Sequence, residues 1–185
     1  TRGDADPALR GMVSGAQGID DSALHYRIGG IREAFEECGV LLAREAGSDD
    51  FLSGERADAI SRTHCEALLK GTTSMADLAR SENLTFAVDC LVPFAHWITP
   101  VGIPKRFDTH FFLAPVPPAQ AATHDGSESV DSVWVTPAEA IAEADAGRMT
   151  LVFATRMNVL KLGRAGTVAE AVAEQPEESM SIAEF

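Results

Sequence analysis

The spacing of apolar residues over positions 20–39 predicts an amphipathic helix. Ile31, Phe35 and Cys38 share one helical face, because residues three and four positions apart lie on the same side of a helix. Gly39 suits the left-handed conformation that commonly follows a helix end. We therefore expect a helix with a buried apolar side that stops at residue 38 or 39.

The start of this helix has two candidate positions. Asp20 or Asp21 can cap a helix that runs through to the glycine. The glycine pair at 29–30 would cost about 1 kcal/mol each relative to alanine inside such a helix. The helix therefore begins either at the aspartates or at the glycines.

Beyond residue 40, the hydrophobic period separates a helical insertion at about 45–83 from a β-rich segment. The expected elements are a buried strand at 40–43, helices at 51–69 and 74–80, strands at 86–97 and 107–114 joined as a hairpin, a third strand at 130–135, and helices at 138–146, 151–162 and 167–173. Pro93 indicates an edge or a bulge in the first strand of the hairpin. A sheet followed by a covering helix, with the first helix on the other side, predicts a helix-sheet-helix layering.

Composition indicates an ordinary globular chain with an acidic surface. Its 185 residues suit one domain, and 45% are hydrophobic and 23% charged. A net charge of -13 argues against nucleic acid or an anionic membrane as a partner. An anionic small molecule would need a local metal ion to offset this charge.

Cysteine usage and hydropathy favour a cytoplasmic protein. Cys38, Cys65 and Cys90 are odd in number and widely spaced, so we expect reduced, buried thiols and neither disulfides nor a zinc site. No run of about 18 apolar residues is present, and nothing at the start resembles a signal peptide.

Three carboxylates cluster in the segment REAFEECGV at 32–40. Glu33, Glu36 and Glu37 converge on the polar side of the expected helix. Their mutual repulsion is relieved by a cation, and hard divalent ions such as Mg²⁺ prefer oxygen ligands. The alternative is a solvated acidic face on which Arg32 pairs with Glu36 four residues away.

This segment resembles the second half of the Nudix box, G-x5-E-x7-R-E-U-x-E-E-x-G-U, where U is a bulky apolar residue. Ala34 is a small residue at the first U, and Val40 fills the second. Counting back from the arginine, Gly18 is in register, but Leu24 occupies the expected glutamate position. Either an insertion interrupts the box, or its beginning lies upstream of Thr1.

Three further motifs resemble the Nudix branch related to peroxisomal coenzyme A diphosphatases. They are WITP at 97–100, RFDTHFF at 106–112 and WVTP at 134–137. In that branch a helical insertion follows the box, which is commonly interrupted. The resemblance covers residues 28–162 and implies an α+β fold: a Nudix-like α/β/α sandwich with a mixed sheet, a helical insertion and C-terminal helices. We expect one domain over residues 1–185, with its N-terminal strands upstream of Thr1.

The resemblance implies a hydrolase that cleaves a diphosphate linkage in a nucleoside diphosphate derivative. Coenzyme A or acyl-coenzyme A is the leading specific substrate, and Mg²⁺ or Mn²⁺ is the expected cofactor. Metal ligands would be Glu36, Glu37 and Glu33, the last of which could instead accept a proton, with Arg32 orienting the carboxylates. Glu128 is a candidate for the further acidic residue that such enzymes often recruit from a loop.

Two other functions stay open at the sequence level. The mismatch at Leu24 and the missing first half of the box also suit a Nudix-like module that binds a ligand without turnover. A partner-binding helical domain built on residues 45–83 and 151–174 is a weaker alternative. The sequence does not decide whether the protein forms a homodimer.

The expected hairpin carries further candidates for substrate contact. Alternation would place Arg106 and His110 on the same face of its second strand, together with Asp108. The other four histidines show no ligand spacing along the chain, so we assign them no metal role; they are His25, His64, His96 and His124. Trp97 and Trp134 are expected in the core.

Overall fold

The computed structural model of the chain describes residues 6–99, 101–102, 104–120 and 133–173. They divide into two compact units. The first comprises the described residues up to Leu91 together with 114–120. The second comprises Val92–Leu113 and the described residues from Val133 onward.

The first unit contains three α-helices, a small sheet and two 3₁₀ turns. In chain order these are a 3₁₀ turn at Pro7–Met12, α1 at Asp21–Cys38, β1 at Ala43–Glu45, α2 at Gly54–Leu69, α3 at Met75–Glu82, β2 at Leu84–Phe86 and a 3₁₀ turn at Val88–Cys90. β1 pairs with β2 in antiparallel fashion, and a single parallel bridge joins Val13 to Phe86.

Helix α1 begins at Asp21 and runs without interruption through the glycines at 29 and 30. Of the two predicted starts, the one at the aspartates is therefore confirmed. The Asp20 carboxylate caps it by accepting a hydrogen bond from the backbone N–H of Ala23 at 2.8 Å. Gly39 ends it in the left-handed conformation, with φ at 69°. Ile31 and Phe35 are fully buried, as expected.

The prediction of buried cysteines was wrong for Cys38, whose side chain is exposed. This residue is the last of α1 and the chain turns away at Gly39, so no further helical turn covers it. Cys65 and Cys90 are half-buried, and no disulfide joins the three cysteines.

The predicted buried strand at 40–43 is displaced toward the C-terminus. Residues 40–42 are buried but lie outside any strand, and β1 begins only at Ala43. The side chain of Gln120 explains this, because its Oε1 accepts from Leu41 N at 2.9 Å and its Nε2 donates to Leu41 O at 3.0 Å. The amide thus satisfies the backbone of Leu41 as a neighbouring strand would.

The helical insertion consists of α2 and α3, each capped by a serine. Ser53 caps α2, so this helix starts three residues later than predicted. Ser74 and Asp77 form a reciprocal capping box at the start of α3, where the sequence placed the helix.

The second unit pairs a β-hairpin with helices. Its elements are β3 at Val92–Ile98, β4 at Asp108–Leu113, α4 at Pro137–Asp145, α5 at Phe153–Leu162 and α6 at Val168–Ala173. The predicted antiparallel hairpin is confirmed, including an irregularity between Pro93 and Ala95. Its first strand was predicted to begin at residue 86 but begins only at Val92, because residue 86 ends β2 and a 3₁₀ turn occupies Val88–Cys90. The hairpin contacts α5, since Trp97 Nε1 donates to Asn158 Oδ1 at 2.8 Å. None of the described helices combines the length and apolar character needed to cross a bilayer.

Of the predicted third strand at 130–135, residues 130–132 lie outside the described residues. Residues 133–135 are not a strand; they lead into α4, whose N-terminus is capped by Thr136. Trp134 is 75% exposed there, so its predicted place in the core was wrong. Trp97 is half-buried, with its ring edge-on to Phe153 at a centroid distance of 5.7 Å.

Candidate active site

The glutamate cluster lines a cleft of about 510 Å³ in the first unit. One wall is the C-terminal half of α1. The other is the end of α2, the turn that follows and the start of α3. The lining residues are Arg32, Glu33, Glu36 and Glu37 on the first wall and residues 68–75 and 77 on the second. All four polar residues predicted from the REAFEECGV segment therefore face one cleft.

Arg32 joins two of the three glutamates. Its Nη1 lies 2.6 Å from Glu36 Oε2, and its Nη2 lies 2.5 Å from Glu33 Oε1. Glu36 is only 8% exposed, whereas the Glu33 side chain is 53% exposed. A carboxylate as buried as that of Glu36 requires a partner, and the guanidinium provides one. The predicted orienting role of Arg32 fits this geometry, as does the ion pair of the alternative hypothesis.

The position of the cluster along α1 favours a bound cation. Residues 33–37 lie at the C-terminal end of the helix, where the macrodipole is negative, and no basic residue occupies the last turn. The helix end thus adds to the repulsion among the glutamates. Three carboxylates offer six oxygen atoms, of which Arg32 binds one on Glu33 and one on Glu36. This donor set fits a hard divalent cation such as Mg²⁺ or Mn²⁺.

The opposite wall of the cleft was not predicted as part of a site. It contributes Lys70, which pairs with Glu66, and the hydroxyl-bearing residues Thr72 and Thr73. A lysine and hydroxyl donors facing three carboxylates give the cleft groups that can contact a phosphate. The sequence signal available was the polar KGTTS segment between two expected helices, and only the tertiary structure places it opposite α1.

Neither Arg106 nor His110 lines this cleft. Arg106 precedes β4 and is exposed. Its Nε donates to Thr99 O at 2.9 Å, and this hydrogen bond joins the two ends of the hairpin loop. His110 lies on β4 in the second unit. Glu128 lies outside the described residues, as does His124.

His110 belongs to a cluster that spacing along the chain did not reveal. Its ring stacks on that of His96, with centroids 4.0 Å apart and an interplanar angle of 13°. Asp108 Oδ1 is hydrogen-bonded to His96 Nε2. Burial, and then the neighbouring His96, lower the pKa of His110 below its ordinary value, while Asp108 opposes this shift. The hairpin register, which pairs residue 96 with residue 110, is what brings these groups together.

Comparison with known proteins identifies the family. The family model described as the NUDT19 Nudix domain matches residues 14–153. The chain belongs to this family. The predicted Nudix membership and its coenzyme A diphosphatase-like branch are thereby confirmed.

Named relatives of this Nudix chain agree with that assignment. Putative nudix hydrolase 7 of Caenorhabditis elegans is 30% identical over 130 residues, which are 68% of this chain and 40% of that protein. Acyl-coenzyme A diphosphatase NUDT19 is 27% identical in Xenopus laevis and 32% identical in Homo sapiens, each over 128 residues. These alignments cover 63% and 62% of this chain, but only 33% and 32% of the relatives. The chain therefore spans two fifths or less of their length.

A solved structure confirms the α+β Nudix fold. The crystal structure of a NUDIX hydrolase from Alicyclobacillus acidocaldarius matches with a TM-score of 0.65. The match covers 91% of this Nudix chain and 77% of the other, at 22% sequence identity. At that identity the likeness establishes the fold and leaves the substrate to be tested.

Proposed function

We propose that the protein is a metal-dependent Nudix pyrophosphohydrolase that cleaves a diphosphate linkage in a nucleoside diphosphate derivative. The observation that carries this proposal is the cleft in which Glu33, Glu36 and Glu37 meet at the end of α1, with Arg32 bridging two of them. An acidic cleft of this kind binds a polyanionic substrate only together with a cation, and Mg²⁺ or Mn²⁺ suits its oxygen donors.

Each residue of the cleft has a role in this proposal. Glu36 and Glu37 would hold the ion, and Glu33, the more exposed of the bridged pair, would either bind it or accept a proton from the attacking water. Arg32 would fix the orientation of the carboxylates through its two ion pairs. When bound, the ion polarises phosphoryl oxygens and lowers the pKa of a water molecule.

The second wall of the cleft supports a phosphate-bearing substrate. Lys70 would contact the phosphates, and the Thr73 hydroxyl would donate a hydrogen bond to them. The Thr72 hydroxyl donates to Ala67 O at 3.1 Å and would shape the turn. Arg106, His110 and Glu128 stay candidate substrate contacts from the sequence.

Coenzyme A or acyl-coenzyme A is the substrate we place first. Two named relatives are acyl-coenzyme A diphosphatases, and the family model that matches is that of the NUDT19 Nudix domain. Because those relatives are at most 32% identical and are matched over a third of their length, the substrate panel must be broader. ADP-ribose, dinucleotides and nucleoside triphosphates share the diphosphate and test the choice.

The deciding experiment measures phosphate-ester release from this panel with Mg²⁺ or Mn²⁺, using the full open reading frame. Glu37→Gln removes one proposed ligand while keeping the shape of the side chain. Glu55→Gln, at an exposed position of α2 away from the cleft, is the matched control. We expect metal-dependent turnover in the wild type and the control, and a loss of at least about 100-fold in Glu37→Gln. Full turnover in Glu37→Gln would refute the assignment of this residue.

A second function, ligand binding without catalysis, is favoured by one observation. Leu24, at the box position where a glutamate is expected, is only 2% exposed and packs in the core. The chain thus lacks a carboxylate at that point of α1. Calorimetric binding of coenzyme A with Mg²⁺, combined with silence across the whole turnover panel, would favour this alternative.

A further inference from the structure

Three potential metal ligands lie on one face of the β3–β4 hairpin. His96 and His110 are direct cross-strand partners in the antiparallel register. Asp108 precedes His110 by two residues and therefore points to the same face. Trp97 lies on the alternate face, which packs against α5 through Asn158. The hairpin thus separates an apolar contact face from a face that carries two imidazoles and a carboxylate.

The ligand atoms of these side chains are already close together. One nitrogen from each histidine and one oxygen from Asp108 all lie within 4.8 Å of one another. Among the residues that the structure describes, no other three histidine, cysteine, aspartate or glutamate side chains bring their ligand atoms this close together. The two histidines are half-buried and the aspartate is exposed, so an ion could reach the cluster from solvent.

We propose that His96, Asp108 and His110 form a binding site for a divalent transition metal, with Zn²⁺ as the preferred ion. Imidazole nitrogen suits Zn²⁺ and neighbouring transition metals, whereas Mg²⁺ prefers oxygen. Two histidines and one carboxylate are a donor set that binds Zn²⁺ with a further coordination position open. This site is made from other elements than the glutamate cleft, and it would hold an ion of a different chemical class.

Binding requires only a small rearrangement. With Zn–N bonds of about 2.0–2.1 Å, ligand atoms around a tetrahedral ion lie about 3.4 Å apart. The most distant ligand atoms, up to 4.8 Å apart, must therefore approach by up to about 1.4 Å, while the hydrogen-bonded atoms of His96 and Asp108 must move slightly apart. The stacked rings must also turn so that their nitrogen lone pairs converge. The hydrogen bond between His96 and Asp108 would be replaced by bonds to the ion. Side-chain rotations supply this movement, because the strand register already sets the backbone positions.

The test is Zn²⁺ binding to the full chain, measured by competition with a chromophoric chelator after removal of metals. We compare the wild type with His96→Gln, His110→Gln and Asp108→Asn. His25→Gln, which removes an imidazole from α1, is the matched control, and Glu37→Gln reports on binding at the glutamate cleft. Removing a ligand should weaken Zn²⁺ binding by at least about 100-fold, the upper end of the cost of losing a mere outer-shell partner.

Visible spectroscopy with Co²⁺ and thermal unfolding distinguish the loss of a metal ligand from a failure of the variant to fold. Co²⁺ in the wild type should show the visible absorption of a four-coordinate site with nitrogen ligands, and the three ligand variants should lose it. Zn²⁺ should raise the melting temperature of the wild type and of His25→Gln, because a ligand bound to the folded state stabilises it. Asp108→Asn keeps the size of the side chain and decides the matter if a histidine variant does not fold. Equal Zn²⁺ affinity and equal Co²⁺ spectra across all variants would overturn the proposal.

Discussion

Replacing Arg32 with glutamine should destabilise the protein in the absence of divalent metal and much less in its presence. The guanidinium is 16% exposed and pairs with Glu36, which is 8% exposed. Breaking a buried ion pair by removing one partner costs about 3–5 kcal/mol, because the other charge is left uncompensated. Neither side chain is completely buried here, so we expect a loss of about 2–3 kcal/mol.

A divalent cation should restore a large part of this loss. If Glu33, Glu36 and Glu37 bind Mg²⁺ or Mn²⁺, the ion supplies the positive charge that Arg32 no longer provides, and a ligand bound only by the folded state stabilises it by mass action. The wild type should gain less, since Arg32 already neutralises part of the cluster. The metal-dependent increase in unfolding free energy should therefore be larger in Arg32→Gln than in the wild type.

The assay is urea unfolding followed by circular dichroism, with and without Mg²⁺ at constant ionic strength. Arg148→Gln is the control, because Arg148 pairs with Glu143 at the surface, where its side chain is 64% exposed. An exposed ion pair contributes less than about 1 kcal/mol and has no reason to respond to the metal. The reasoning is refuted if Arg32→Gln is as stable as Arg148→Gln, or if Mg²⁺ leaves its stability unchanged.

Further predictions concern the cleft, the buried amide and the response to acid. Glu37→Gln should keep its unfolding free energy within about 1 kcal/mol of the wild type, because it relieves charge repulsion; unfolding at room temperature would contradict this. Gln120→Leu should cost about 1–3 kcal/mol in urea unfolding, since it leaves the buried Leu41 N–H without its acceptor and its C=O with only the bond from Ala43 N, whereas the exposed Gln17→Leu should change less than about 0.5 kcal/mol. Hydrogen bonds from Arg44 hold the pKa of Asp89 below its ordinary value. Their stabilisation is complete above the unfolded pKa of about 3.9 and is lost as pH falls through the folded pKa. Arg44→Gln should therefore destabilise more at pH 7 than at about pH 2, where only the bonds to Asp49 O and Ser14 Oγ and the contact with the Phe51 ring are lost. An equal loss at both pH values would contradict this assignment.

Features set by neighbours along the chain were predictable. Asp20, Ser74 and Thr136 each accept a hydrogen bond from a backbone N–H three residues ahead, so a cap can be recognised from the local sequence. Gly39 ends α1 because glycine adopts positive φ without steric cost. The convergence of the glutamates likewise follows from helix geometry within five residues.

Contacts between distant segments could not be predicted in this way. Gln120 bonds to the backbone of Leu41, 79 residues away, so this side chain and not a neighbouring strand satisfies the buried Leu41 N–H. Trp134 looked like a core residue because it is large and apolar, but its burial depends on which other segments pack against it. Its actual exposure follows from its place before the cap of α4.

By itself, the sequence determined the helices and their caps, the hairpin and the acidic cluster of a Nudix box, since each depends on interactions within a few residues. The tertiary structure decided which residues face that cluster and which meet across the hairpin. Lys70 reaches the cleft because the turn between α2 and α3 is placed opposite α1. His96 reaches Asp108 because the two strands pair in one particular register. Those placements depend on the packing of many residues far apart in the chain, and no local pattern encodes them.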